Sequence, residues 1–261
     1  GWRDAAEKML RWLDVLTHPD GEIGFFNDAA FGIASSPYSL RDYATRLDVP
    51  ILHRKKESIC KLESSGYVRI AKGDAVAFTD LASVGPDYIP GHSHADTLSF
   101  EFSLFGQRVL VNSGTSLYEV SEERLRQRGT TAHNTVQIAG ENSSEVWMSF
   151  RVARRARPFD LQVREESGFA EVECSHDGYQ RLKGRNVHRR TWQLERDKLV
   201  VKDEITGLFE SAVARFHLHP EIKATANDLL LPNGAIIRFA GEGGELQLVD
   251  VKWHPEFGKS I

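Results

Sequence analysis

A short stretch near the middle of the chain carries side chains that can bind a metal or transfer a proton. His92, His94 and Asp96 occupy alternate positions, and alternate side chains of an extended backbone point to one face. A further histidine, His133, directly precedes an apolar run that is typical of a strand. Zinc prefers three or four nitrogen and oxygen ligands at about 2.0 to 2.2 Å. The spacing therefore predicts a site that holds a metal ion or a substrate.

The same residues also have simpler interpretations. A pair of histidines at this spacing is often surface decoration, and Asp96 could orient a histidine N–H or the loop backbone instead of binding a metal. Asn112 interrupts a predicted strand at roughly the height of the histidines, but its neutral amide oxygen is a poor zinc ligand. The second His-x-His pair, His217 and His219, lies just before a proline and is interpreted as the end of a strand.

The loop that is predicted to close over this site contains a tyrosine and several arginines. Tyr118 could give or take a proton, and Arg124 and Arg128 could each hold a carboxylate through two parallel hydrogen bonds. Packing of the tyrosine on the sheet, with the arginines solvated, is the alternative. Asn134 follows His133 directly and is a further candidate for contact with a substrate.

The elements that position these residues are predicted to be mostly strands. Apolar residues recur every three or four positions over residues 2–16 and 37–47, which indicates two amphipathic helices, the second with Ser36 as its cap and Pro37 at its first position. Alternation over residues 97–104 is typical of a half-buried strand. Further strands are predicted at 67–71, 75–78, 109–111, 135–138, 146–154, 159–164, 168–174, 187–195, 198–205, 211–218, 235–240 and 245–251. The fold is therefore predicted to be mainly β, a large antiparallel sandwich preceded by helices.

Composition excludes several functional classes. The 261 residues carry a formal net charge of -4, with both signs mixed along most of the chain, so nothing indicates a nucleic-acid partner. No apolar segment is long enough to predict a membrane span. The two cysteines are too few for a disulfide framework and do not identify a compartment. The chain starts within a helical pattern and without a methionine, so we expect a piece of a longer protein.

Two clusters of basic residues interrupt the mixed charge. They lie at 151–157 and 183–190, and they alternate with apolar or polar residues. This alternation is typical of the solvated face of a strand. A groove for an acidic polysaccharide is the alternative interpretation.

Three motifs together resemble the heparinase II/III-like polysaccharide lyase family, which includes certain alginate lyases. They are Gly91-His92-Ser93-His94-Ala95-Asp96, the run Val109 to Thr115, and the run Arg128 to Val136. Members of that family join an N-terminal (α/α) toroid to an antiparallel β-supersandwich. The resemblance implies that residues 1–50, including Phe26-Asn27-Asp28, are the end of a toroid. It implies that residues 51–261 are the sandwich domain.

The resemblance also implies a metal centre. In the family, zinc is bound by the second histidine of the His-x-His pair, by an aspartate and by a later histidine. The matching positions here are His94, Asn112 and His133. Because Asn112 stands where the family has an aspartate, we expect zinc to be bound more weakly.

The reaction implied by the resemblance is β-elimination at a uronic acid of an acidic polysaccharide. The C5 proton is removed, the C4 glycosidic oxygen leaves, and an unsaturated sugar results. His92 would line the cleft and, with Tyr118 and Arg128, is a candidate catalytic residue, whereas Arg124 and Asn134 are candidate substrate contacts. The family also suggests a periplasmic or secreted location. No pattern identifies the polymer or an oligomeric state.

Two other functions stay open. A cupin-like metalloenzyme also combines His-x-His with a later histidine, but its glutamate ligand follows the pair by three or four residues, and Glu101 is too far along the chain. A noncatalytic carbohydrate-binding or assembly module would be compatible with Asn112 and with the absence of most of a toroid.

Overall fold

The amino-terminal residues form two helices, which confirms the helices predicted there. The computed structural model describes residues 1–51 and 57–261. Helix α1 spans Trp2–Val15, and helix α2 spans Pro37–Arg46. The hydroxyl of Ser36 accepts a hydrogen bond from the backbone N–H of Ser39 at 3.3 Å, so the predicted cap of α2 is confirmed. Within the described ranges, no helix has both the length and the apolar character needed to cross a membrane.

Antiparallel strands dominate the remaining described residues, which confirms the predicted mainly β fold. Numbered along the chain, the strands are β1 Ile59–Leu62, β2 Tyr67–Lys72, β3 Ala75–Asp80, β4 Phe100–Leu104, β5 Gln107–Leu110, β6 Val136–Ile138, β7 Val146–Trp147, β8 Arg151–Val152, β9 Pro158–Glu165, β10 Phe169–His176, β11 Val187–Glu195, β12 Leu199–Thr206, β13 Ala212–Ala214, β14 Lys223–Ala224, β15 Asp228–Leu230 and β16 Ile236–Arg238. A third helix, α3, spans Glu122–Arg128, and a 3-10 turn spans Thr130–Ala132.

Two of the sheets pack face to face and form the sandwich. The first has the order β1-β2-β3-β4-β5, and the second has the order β12-β11-β10-β9. The core between them contains Ile70 and Phe100 from the first sheet and Val172 and Trp192 from the second, all fully buried. Smaller sheets pair β13 with β6, β7 with β8, and β14 with β15 and β16.

The first sheet is covered on its other face as well, by the segment that follows α1. A second apolar cluster there includes Leu16, Phe26 and Phe78. Strand β4 is therefore buried on both faces, and the prediction that it is half-buried is wrong. Its polar side chains are buried because the covering segment supplies partners for them: Glu101 accepts a hydrogen bond from the backbone N–H of Phe25 at 2.9 Å.

A buried histidine completes the attachment of this segment to the sheet. Nε2 of His18 lies 2.9 Å from Oε2 of Glu101, and its Nδ1 lies 2.7 Å from the hydroxyl of Ser103. The other carboxylate oxygen of Glu101 accepts the backbone N–H of Asn112 at 2.8 Å. All these side chains are buried. The Ser–His–Glu arrangement therefore fixes the segment instead of exposing a nucleophile to substrate.

The second sheet contains its own buried chain of hydrogen bonds. Nε2 of His176 lies 3.2 Å from Nδ1 of His188, and Nε2 of His188 lies 2.7 Å from a carboxylate oxygen of Asp203. Arg190 donates to both oxygens of Asp203 and also to the backbone carbonyl of Leu98, at 3.0 Å. Burial lowers the pKa of both histidines below 6.5. The network therefore joins the second sheet to the loop that precedes β4.

Several predicted elements differ from the structure. Residues 92–96 lie in an irregular loop and not on a strand, and the polar loop predicted around residues 118–128 contains helix α3. The strand predicted at 146–154 is two short strands around a turn, and the one at 211–218 is reduced to β13. No strand forms at 245–251, where every residue is exposed, because its alternating apolar side chains have no sheet among the described residues to pack against.

Candidate functional site

Asp28 is the residue on which the site converges. Its Oδ2 lies 2.8 Å from Nδ1 of His92, and its Oδ1 lies 2.8 Å from Nε2 of His94. The Asp28 side chain is only 5% exposed. The covering segment after α1 brings it to the loop that carries both histidines. One buried carboxylate therefore connects the two histidines of the His-x-His pair.

Helix α3 supplies the charge that balances Asp28. The helix begins after Ser121, whose hydroxyl accepts the backbone N–H of Arg124 at 3.1 Å. Arg124 is fully buried, and its guanidinium donates to both oxygens of Asp28. Burial alone would raise the pKa of Asp28, but hydrogen bonds from His94 and Arg124 outweigh burial and hold that pKa well below its ordinary range. Asp28 is therefore a fixed anion.

His92 is the member of the site that reaches solvent. Its side chain is 65% exposed, whereas the side chain of His94 is buried. Because Nδ1 of His92 faces a carboxylate, it carries the proton when the ring is neutral, and Nε2 is left with a lone pair. This is the form of an imidazole that can accept a proton from a substrate.

Two aromatic side chains lie next to His92. The ring of Tyr118 lies 5.8 Å from that of His92, and the ring of Phe150 lies 6.3 Å away. Tyr118 also packs on the guanidinium of Arg124 at 4.9 Å. Partial burial and the negative charge of Asp28 raise the pKa of the Tyr118 hydroxyl, so this hydroxyl keeps its proton at neutral pH.

Behind His92 lies a buried cluster with the character of a metal site. His94, Asp96 and His133 each offer one ligand atom, and these atoms lie within 4.8 Å of one another. Nδ1 of His94 and Nε2 of His133 are buried and have no hydrogen-bond partner among the described residues. The opposite nitrogen of each ring faces Asp28 or Asn112. Each histidine is thus held by one nitrogen with the other left bare, as in metal-binding histidines.

The donor set of this cluster fits a zinc ion. Burial keeps the pKa of His133 well below its ordinary value, so this imidazole is neutral and able to bind a metal. Burial raises the pKa of Asp96, a carboxyl group that would be stabilised as the anion by a cation. Two imidazole nitrogens and one carboxylate oxygen form a common set of zinc ligands.

Asn112, expected from the sequence as a metal ligand, lies beside this cluster, and its side-chain amide has partners of its own. Its Oδ1 lies 3.3 Å from Nδ1 of His133, and its Nδ2 donates to the carbonyl of Phe25 at 2.8 Å. The amide is therefore occupied in orienting a histidine and in holding the covering segment. Asp96, named from the sequence as a possible substitute, is the third member of the cluster.

Two further residues expected to contact substrate are structural. Arg128 is fully buried, and its guanidinium donates to the backbone carbonyls of Ser93, Met148 and Arg151. This placement argues against the expected role of Arg128 in holding a substrate carboxylate.

Asn134 is equally enclosed. Its Nδ2 donates to the carbonyls of Phe100 and Val111 at 2.7 and 3.1 Å, and its Oδ1 accepts the backbone N–H of His217. Asn134 therefore joins neighbouring strands and is closed to substrate. Arg124, the other expected substrate contact, is used to hold Asp28.

The residue missed by sequence reasoning is Asp28. It lies 64 residues before His92, so no local spacing connects it with the histidines. In the sequence, Asp28 was noted only as part of the Phe26-Asn27-Asp28 stretch, and the family resemblance implied no role for it.

Comparison with known proteins extends this description. Residues 54–260 match the family described as Heparinase II/III-like, C-terminal. The fold is shared with a heparinase III gene product, at a TM-score of 0.74 and 18% identity, and with heparan sulfate lyase HepC from Pedobacter heparinus, at 0.73 and 16%. Each alignment covers 98% of this chain and 42% of the other chain, so this chain spans less than half the length of those structures. No curated protein matches the chain significantly.

Proposed function

The chain belongs to the family of heparinase II/III-like C-terminal domains, and from this premise we propose that it forms one wall of the active site of a polysaccharide lyase. The substrate is a uronic-acid-containing polysaccharide, and the reaction is β-elimination. One observation carries the proposal: the exposed His92 is held by the buried carboxylate of Asp28, beside Tyr118. This arrangement places a proton acceptor and a proton donor at one surface.

In this proposal His92 is the base. Its Nε2 accepts the C5 proton of the uronate, and the ring then carries a positive charge. Asp28 stabilises that charge through the hydrogen bond to Nδ1, as a carboxylate does for the histidine of a hydrolase triad. Because Arg124 and His94 already hold Asp28 in place, the acceptor is positioned before the substrate binds.

Tyr118 is the proposed acid. It keeps its proton at neutral pH because burial and the charge of Asp28 raise its pKa. Its hydroxyl can therefore give a proton to the C4 oxygen as the glycosidic bond breaks. The two proton transfers involve neighbouring side chains, whose ring centres are 5.8 Å apart.

The group that neutralises the substrate carboxylate is expected to come from elsewhere in a longer protein. Such a group is required because the C5 proton becomes acidic only when the carboxylate charge is balanced. Arg124 and Arg128 are both buried and occupied. The chain also spans only 42% of the two matched lyase structures, which leaves room for a second wall.

A metal ion is part of the proposal, and its role is structural. Zinc would be held by His94, Asp96 and His133, and it would supply a fixed positive charge beside Asp28. Asn112 orients His133, and Asp28 orients His94. In this arrangement the residues of the buried cluster keep the loop of the His-x-His pair in one conformation, and His92 reacts at its surface.

The test is an elimination assay that records the ultraviolet absorbance of the unsaturated uronate. We expect little product from the 261-residue chain alone and clear product from a longer protein that also supplies the second wall. In that longer protein His92→Ala should lower kcat by about 100-fold or more, the usual contribution of a general base. Tyr118→Phe should lower it to a similar extent, whereas Tyr38→Phe, a change on the exposed face of α2, should have no effect.

The other outcomes distinguish the remaining functions. If the longer protein yields no unsaturated product from any uronate polymer but binds such polymers, the chain is a carbohydrate-binding module. A cupin-like activity has less support, because Glu101 accepts hydrogen bonds from His18 and two backbone N–H groups and is not a member of the metal cluster.

A further inference from the structure

A short hairpin beside His92 exposes three large apolar residues to solvent. Strands β7 and β8 pair Val146 with Val152 and Trp147 with Arg151. Trp147 and Phe150 are 47% and 42% exposed, and Met148 is 51% exposed. Large apolar side chains grouped on a surface in this way often mark a binding site.

The turn of this hairpin is held by the two buried arginines of α3. Arg124 donates from Nε to the carbonyl of Ser149 at 3.2 Å, and Arg128 donates to the carbonyls of Met148 and Arg151 at 3.1 and 3.4 Å. Burying a guanidinium is costly unless it is fully hydrogen-bonded. Here two buried guanidinium groups hold the backbone of the hairpin while Trp147 and Met148 stay exposed. The exposed surface is thus preorganised for a ligand.

The hairpin is continuous with the candidate site. The ring of Phe150 lies 6.3 Å from that of His92 and 5.5 Å from that of Tyr118. A polymer that runs from His92 toward Phe150 would pass over residues 147–151. The hairpin is in the position of a neighbouring sugar subsite.

The charge of the hairpin indicates what this subsite would bind. The guanidinium of Arg151 lies 5.8 Å from the centre of the Trp147 ring. Two arginines that follow are paired, Arg154 with Glu145 and Arg155 with Asp87. Across residues 1–51 and 57–261, by contrast, Arg151 has no carboxylate within ion-pair distance. An exposed cation beside an exposed indole is complementary to a sugar ring that has one apolar face and carries a negative charge.

We propose that Trp147 and Arg151 form a subsite for an anionic sugar next to the sugar bound at His92. The indole stacks on the apolar face of the pyranose ring, and the guanidinium binds its carboxylate or sulfate through parallel hydrogen bonds. This inference rests on the proposed function, since it adds a second sugar to the same cleft. Arg151 belongs to the basic cluster at 151–157, so this subsite would also give that cluster a role in binding an acidic polysaccharide.

The test is titration calorimetry of the 261-residue chain with three tetrasaccharides: an alginate tetrasaccharide, a heparan sulfate tetrasaccharide and a neutral cellotetraose. We expect the two anionic ligands to bind and the neutral ligand not to bind. Arg151→Gln should weaken anionic binding by about tenfold, the value of one charge-assisted hydrogen bond. Trp147→Ala should weaken it by about tenfold as well, because the stacking surface is lost. Equal losses by Arg151→Gln on both anionic ligands identify the carboxylate as its partner, and a loss on heparan sulfate alone identifies the sulfate.

Two control variants test whether a loss of binding is specific to this subsite or follows from removing any exposed arginine or aromatic side chain. Arg196→Gln removes an exposed arginine from the turn between β11 and β12, and Tyr38→Ala removes an exposed aromatic side chain from α2. Both should bind like the wild type. If Arg151→Gln and Trp147→Ala also bind like the wild type while His92→Ala does not, the subsite is overturned and the proposed function stands. If the wild-type chain binds no anionic ligand, the subsite is overturned, and the elimination assay decides the proposed function separately.

Discussion

Asp28 and Arg124 form a buried two-point ion pair between residues that are 96 positions apart in the chain. Both oxygens of Asp28 accept from the guanidinium, and each oxygen also faces a histidine. The hydroxyl of Thr115 is a further donor to Oδ1, at 3.4 Å. The pair therefore has the two properties that make a buried ion pair tolerable, which are good geometry and additional hydrogen bonds. It joins the segment after α1, the histidine loop and α3 at one point.

The first prediction concerns the loss of one partner from this pair. Asp28→Asn leaves the buried guanidinium of Arg124 without its counter-charge, and we expect the free energy of unfolding to fall by roughly 3–5 kcal/mol. Urea denaturation measures this change. The control is Asp42→Asn, which breaks the exposed pair with Arg46 and should change stability by less than about 0.5 kcal/mol. Similar effects of the two substitutions would mean that Asp28 is not the junction of the three segments.

The second prediction concerns the metal. Purified wild-type chain should bind zinc at close to one ion per chain, and His94→Ala and Asp96→Asn should each abolish that binding. Asp28→Asn keeps all three ligands but changes the group that orients His94, and it should lower zinc affinity by about 10- to 100-fold. The measurements are elemental analysis and a competition titration with a chromophoric chelator, with His219→Ala as a variant that should keep its zinc. Unchanged zinc content in His94→Ala and Asp96→Asn would eliminate the proposed centre.

The third prediction concerns Glu101. Its carboxylate accepts hydrogen bonds from His18 and from the backbone N–H groups of Phe25 and Asn112. Glu101→Gln turns an amide N–H₂ toward one of these donors, and we expect a loss of about 1–3 kcal/mol because buried donors are left unpaired. Hydrogen exchange of residues 17–31 should rise, since this segment is attached through Glu101.

The control for Glu101 lies on the exposed side of the second sheet. Glu204→Gln removes a carboxylate that is 48% exposed and pairs with Lys202, and it should shift stability by no more than about 0.5 kcal/mol. An equally small effect of Glu101→Gln would show that the segment after α1 is held by its apolar contacts alone.

The fourth prediction is a dependence of stability on pH from the buried histidines of the second sheet. Burial lowers the pKa of His176 well below 6.5, so the ring stays neutral in the folded protein while the unfolded chain takes up a proton below about pH 6.5. The unfolded state therefore binds more protons, and the free energy of unfolding falls as the pH falls. One such histidine contributes a slope of up to about 1.4 kcal/mol per pH unit.

The variant that checks this pH dependence is His176→Gln. Urea denaturation between about pH 6.5 and pH 5 should give a smaller slope for this variant than for the wild type. The pKa of Asp203 is held down by Arg190 and His188 against the opposing effect of burial. Asp203 therefore lowers the free energy of unfolding only below about pH 5, outside the range of the urea denaturation. Equal slopes would show that His176 is protonated in the folded protein.

The predictable part of the fold was the part set by local patterns. Helices α1 and α2 and the long strands β9 to β12 follow apolar periodicity and turn residues, so the sequence alone located them. Helix α3 was missed because its inward face is made of Arg124, Gln127 and Arg128, which is a polar stripe that periodicity of apolar residues does not detect. Its start was nevertheless signalled by Ser121 followed by two glutamates.

The predictable part of the site was the part contained in one motif. His92, His94 and His133 were found from spacing and resemblance, but the assignment of partners was not. Asp28 meets the histidines only through folding. Asp96 lies with His94 and His133, whereas the amide N–H of Asn112 donates to the carbonyl of Phe25. Arg128 was expected at the surface because arginines are rarely fully buried, yet three backbone carbonyls satisfy it in the interior.

The long sequence separations at Asp28 also bear on how the molecule folds. Its contacts bridge 64, 66 and 96 positions, and closing loops of this length costs entropy that only a nearly complete set of native contacts offsets. The strand pairs β9–β10 and β11–β12 need much shorter loops and are expected to form earlier. Recovery of strand content during refolding is therefore a poor measure of recovery of the site, which assembles last.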